Sequence, residues 1–75
     1  MRKPLVITSR NSAGGLLCVD VFQRADGSFG FEEFRRDPED ASGWYAVGGF
    51  NDLRFGSADD ADRDATTRVS WYENT

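Results

Sequence analysis

Residues 19–40 constrain this chain more than any other stretch. Two β-prone runs, Val19 to Gln23 and Ser28 to Arg36, flank the dipeptide Asp26-Gly27, and a charged loop containing Pro38 follows. An Asp-Gly pair between alternating apolar residues is a strong hairpin signal. Gly27 accepts the left-handed backbone that such turns need, so a type I turn with a glycine bulge is expected. That turn sets Val21 opposite Phe31 and Phe22 opposite Gly30. A two-residue Asp-Gly loop is the rival register. The first places Asp20 opposite Glu32 and the second places it opposite Glu33, so charge does not choose between them.

Alternation along residues 16–24 puts Leu17, Val19 and Val21 on one face and Cys18, Asp20, Phe22 and Arg24 on the other. Phe29 and Phe31 join the first face. Phe34 breaks the pattern. Either a bulge near Glu32-Glu33 turns it inward, or it sits on the second face beside Cys18.

The rest of the chain adds flanking elements. A β-branched run at 5–8 predicts a first strand, and the cluster at 11–15 predicts a turn. Residues 37–43 form a polar loop. A fourth strand is expected over 44–50, weakened by Gly48-Gly49, then a turn at Asn51-Asp52 and a short extra strand at 53–55. Ser57 is a good N-cap, and Asp59 and Asp60 suit the positive end of a helix dipole. Ala58, Ala61, Ala65, Val69 and Tyr72 fall on one helical stripe. Trp71 falls off it, to be exposed or folded back where the helix frays. The expected fold class is α+β: an antiparallel meander of three or four strands with one C-terminal helix packed on one face. The 75 residues make a single small domain, 1–75.

A domain this short buries only about 60% of its unfolded surface, so its core contributes about 3–5 kcal/mol. Cys18 is the only cysteine and histidine is absent, which closes internal disulfides, Cys/His zinc sites and histidine-based nucleophile sets. Six phenylalanines, two tyrosines and two tryptophans leave aromatic packing and self-association as supports. The net charge of −4 predicts solubility at neutral pH and repulsion, on average, from nucleic acid and anionic membranes. Arg2, Lys3 and Arg10 make the front basic, while Asp59, Asp60, Asp62, Asp64 and Glu73 make the back acidic. No run is long enough for a transmembrane helix and no signal-peptide pattern opens the chain, so a cytoplasmic location is expected.

Several groupings invite a chemical interpretation. Asp60-x-Asp62-x-Asp64 opens like a calcium loop, but position six is Ala65 rather than glycine and position twelve is Trp71 rather than glutamate. Pairs with Arg63 and Arg68 at helical spacing explain these acids better. Cys18 lacks a base and a preceding helix N-terminus, so it is expected to be structural. Asp20 with Glu32-Glu33 resembles a carboxylate pair for acid–base work, but solvated or edge-guarding strand charges explain them better. No catalytic residue, metal ligand or cofactor is assigned.

The run from Phe22 to Asp40, followed by Gly43-Trp44, resembles small bacterial domains of unknown function that share a hairpin, a Gly-Trp strand and an alanine-rich C-terminal helix. The resemblance covers roughly residues 18–71. It implies the architecture and a bacterial, cytoplasmic protein, and brings no activity with it. Asp62, Asp64 and Thr66-Thr67 replace some of the alanines expected in the helix.

One helix covers one sheet face, yet the other carries Cys18, Phe22, Phe34 if no bulge turns it inward, and one of Trp44 and Tyr45. The expectation is a non-catalytic interaction module, associating with a second copy or another protein through this face or an edge strand, with Phe22, Phe34, Trp44 and Tyr45 as anchors. The competing arrangement turns Phe34 inward and wraps the face in loops. The alternative function is a sheet-based nucleic-acid binder using Arg24, Arg35 and Arg36, although acids surround those arginines.

Overall fold

The computed structural model describes residues 4–39 and 43–72. Arg2, Lys3 and Glu73, which contribute to the basic front and acidic back, lie outside the described residues. Among those described, four strands and one helix follow in the order β1 (Leu5–Asn11), β2 (Leu17–Gln23), β3 (Phe29–Arg36), β4 (Trp44–Ala46) and α1 (Ala58–Arg68). The strands form one antiparallel sheet in sequence order, a meander, and α1 packs on β2 and β3.

The central hairpin takes the glycine-bulge turn. The Arg24 amide donates to the Ser28 carbonyl at 2.8 Å, the Gly27 amide donates to the Arg24 carbonyl at 3.0 Å, and Gly27 has φ +91°. Asp26 braces the turn by accepting from the Ser28 amide at 2.9 Å and its hydroxyl at 2.7 Å. The register then sets Val21 opposite Phe31, Phe22 opposite Gly30 and Asp20 opposite Glu32. Pairing runs unbroken to Phe34, which lies opposite Cys18 on the second face. No bulge turns it inward.

β1 runs three residues beyond the expected 5–8, and its register slips between Val6 and Thr8, a bulge at Ile7. β4 is shorter than expected. After Ala46 the Val47 and Gly48 amides both turn onto the Glu33 carbonyl, at 2.9 and 3.4 Å, and the ladder stops. The chain then crosses the β3 edge. A Cβ on Gly48 would lie 2.5 Å from the Phe50 ring and 2.6 Å from Glu32 Oε1, so only glycine allows this crossing. Residues 53–55 return as an isolated bridge between Phe55 and Phe29 rather than a strand.

The core lies between the sheet and α1. Val19, Val21 and Phe31 meet Ala61, Ala65, Val69 and Tyr72, all buried, with Phe50 and Phe55 against Phe31 at 5.1 and 5.9 Å between ring centroids. Ala61 and Ala65 have no exposed surface; their small side chains let the helix sit close to the sheet. Ser57 caps α1 by accepting from the Asp60 amide at 3.1 Å. Trp71 folds back: its indole N–H donates to Glu33 Oε2 at 2.9 Å, and its ring meets Tyr72 edge-on.

Glu32 corrects an expectation. Rather than a solvated or edge-guarding charge, it is 2% exposed. Its Oε1 accepts the Glu33 amide at 2.8 Å and the Phe50 amide at 3.3 Å. Where the chain leaves the β4 ladder to cross the edge, the Phe50 amide needs a partner, and the carboxylate supplies it.

Candidate functional site

The sheet face away from α1 is the candidate surface. Pleating and register place Val6, Ser9 and Asn11 of β1, Cys18, Asp20 and Phe22 of β2, Glu32, Phe34 and Arg36 of β3, and Trp44 and Ala46 of β4 on it. Of the four aromatic anchors, Phe22, Phe34 and Trp44 share this face. Tyr45, opposite Arg35, points to the helix side, where it remains exposed. The adjacent pair is thereby resolved: Trp44 belongs to the open face and Tyr45 cannot join it.

Phe22 is already largely covered. The Arg24 guanidinium lies 5.0 Å from its ring centroid, a cation–π contact. That guanidinium is also a clamp. It donates to the carbonyls of Phe29 and Leu53, both at 3.1 Å, and to the carbonyl of Asn51. Gly30 makes the clamp possible, since a Cβ there would stand 2.7 Å from Arg24 Nη2 and 2.9 Å from Nη1. Arg36 stacks on the exposed Trp44 ring at 5.4 Å. Phe34 is half-buried between these ends.

Two shallow depressions cross the face. One, of about 460 Å³, is bordered by Val6, Phe22, Phe34 and Ala46 together with Asp20, Glu32 and Arg24. The other, of about 370 Å³, lies over Ser9, Cys18, Asp20, Phe34 and Trp44. Asp20 and Phe34 border both. The Asp20 carboxylate accepts from Ser9 Oγ at 2.7 Å and from the Cys18 thiol at 3.3 Å. Burial pushes the Cys18 thiol above its ordinary pKa; the hydrogen bond with Ser9 offsets part of that rise, and Asp20 adds to it. A protonated, buried thiol is a poor nucleophile.

The three arginines of the nucleic-acid alternative are not brought together. Arg24 and Arg36 stand at opposite ends of the open face, their backbones about 26 Å apart at strand spacing, and Arg35 lies on the helix side. Arg24 is committed to the fold. The Asp60, Asp62 and Asp64 side chains also diverge: Asp60 pairs with Arg63 at 3.7 Å, Asp64 with Arg68 at 2.6 Å, and Asp62 accepts from the Tyr72 hydroxyl. Among the described residues no cluster of three or more metal-capable side chains occurs, and no helix is long and apolar enough to cross a membrane.

Sequence reasoning named an edge strand as one route to association but assigned no residues to it. β1 is an outer strand of the sheet, and Leu5, Val6 and Ile7 are 66%, 50% and 45% exposed. Leu5 and Val6 point to opposite faces. The signal was present as three consecutive apolar residues without alternation, but only the strand order shows that they lie at an edge. In comparison with known proteins, no family model, no curated protein and no solved structure matches the chain.

Proposed function

We propose that this chain is a non-catalytic protein interaction module that self-associates by pairing β1 with β1 of a second copy across a two-fold axis. The observation that carries this reading is the exposed run Leu5-Val6-Ile7 on an outer strand. Its side chains lie on both sheet faces, and a strand laid along the edge covers both at once, which no partner docked on one face does. The run holds no charge, one of the usual protections of an exposed edge, and the bulge at Ile7 is the protection it does carry. Pairing it with itself also meets the need for a β-prone, uncharged partner strand.

Each of the three side chains recovers about 1 kcal/mol on covering its exposed half. Six of them across the two-fold give about 6 kcal/mol, set against an association cost of comparable size. Backbone hydrogen bonds along the joined edges supply the remainder, so the expected dimer is weak, with a dissociation constant of about 10 μM to 1 mM. Sedimentation velocity over a concentration series tests this. Ile7→Lys should hold the chain monomeric with its melting temperature nearly unchanged, while Phe34→Asp on the open face should leave the dimer intact. A wild-type chain that stays monomeric at about 1 mM removes the proposal.

A further inference from the structure

The open face has a different charge pattern from the β1 edge. Asp20 is the central residue of β2, faces Glu32 across the ladder, and lies where the two depressions meet. Among the described residues it has no ion pair; its partners are a hydroxyl and a thiol. The two arginines of the face are held elsewhere, Arg24 on backbone carbonyls and the Phe22 ring, Arg36 on the Trp44 ring. An uncompensated carboxylate therefore stands among Phe22, Phe34 and Trp44.

A second copy does not suit this surface. A two-fold that sets face on face, centre to centre, brings Asp20 and Glu32 against their own counterparts and turns the Arg24 end onto the Arg36 end. Like charges then meet at the centre and at both ends. A compact small molecule is also poorly served, since such ligands need most of their surface enclosed and both depressions are shallow. The adjoining depressions instead trace a path across the sheet from the Asn51 side to Trp44.

We propose that this open-face groove docks an extended segment of a partner protein that carries a lysine or arginine between apolar residues. Asp20 takes the cation, and Phe34 and the exposed Trp44 take the apolar neighbours two positions to either side of it. The carboxylate supplies charge complementarity, and a cationic head on an aliphatic stem satisfies it while the stem covers aromatic surface. The proposal is independent of β1 pairing, because the groove and the strand edge are separate surfaces.

The test uses the full chain and two short probe peptides, acetyl-Leu-Ser-Lys-Ser-Leu-amide, whose leucines and lysine share one face when the segment is extended, and the same sequence with glutamate in place of lysine, followed by two-dimensional NMR. The lysine peptide is expected to shift the Trp44 indole and the amides around Asp20 and Phe34 saturably, with affinity falling as salt is raised. Asp20→Asn, which preserves the size of the side chain, should weaken binding about tenfold without altering sedimentation. Phe34→Ala should also weaken it. Binding of both peptides alike, affinity indifferent to salt, or no saturation at about 1 mM each overturns the proposal. The salt series on wild-type protein decides the matter even if a variant fails to fold.

Discussion

Gly30→Ala isolates the Arg24 clamp. The backbone at Gly30 lies outside the left-handed region, so alanine meets no intrinsic strain there. The added methyl would instead stand 2.7 and 2.9 Å from the two Arg24 guanidinium nitrogens and 3.0 Å from the Phe22 ring. The guanidinium must leave, and with it go its hydrogen bonds to Phe29, Asn51 and Leu53. Hydrogen bonds from a charged donor are worth about 1.5–3 kcal/mol each when fully shielded, and water replaces much of that at a half-buried site. Alanine returns about 0.5–1 kcal/mol of backbone entropy. The expected net loss is about 1–2 kcal/mol, or about 4–16 °C in melting temperature for a domain this small. Denaturant unfolding of a double-mutant cycle with Arg24→Met supplies the decisive comparison. In the Arg24→Met background Gly30→Ala should be neutral or stabilising. A Gly30→Ala variant as stable as wild type, or one that loses the same amount in both backgrounds, refutes the clamp.

Two pH effects follow from other groups. Burial, and then the hydrogen bond to Asp62, raises the Tyr72 phenol above its ordinary value, so the folded chain holds that proton more tightly than the unfolded chain. The contribution is intact below about pH 10 and declines as pH rises beyond it. Tyr72→Phe should flatten that decline in alkaline unfolding curves and cost about 1 kcal/mol at neutral pH. Asp26 moves the other way: the Ser28 hydroxyl and amide, with help from Arg54, lower it to about 2. Its contribution to the turn is present above about pH 4 and fades as pH falls toward 2. Protection of the Ser28 amide, its exchange rate relative to the intrinsic rate at the same pH, should fall over that range in wild type and stay level in Asp26→Asn.

Local rules made much of this chain legible from its sequence. Gly27 and Asp26 set the turn, the turn set the register, and the register put Val19, Val21, Phe29 and Phe31 on one face. Ser57 and the stripe Ala61, Ala65, Val69 and Tyr72 determined where the helix starts and which side it buries. Each of these depends on residues a few positions apart, so sequence spacing carries the information. Only the tertiary structure decided the rest. Arg24 reaches Asn51, 27 positions away, and Trp71 reaches Glu33, 38 positions away. The burial of Glu32 and the early end of β4 follow from how the 47–53 segment crosses the β3 edge, and which of Trp44 and Tyr45 meets the open face follows from the register of β4 on β3. The exposure of Leu5, Val6 and Ile7 follows from β1 being an outer strand. No local pattern encodes which strand lies at the edge or which distant carbonyl a guanidinium will find, because those outcomes are fixed only when the sheet and helix pack together.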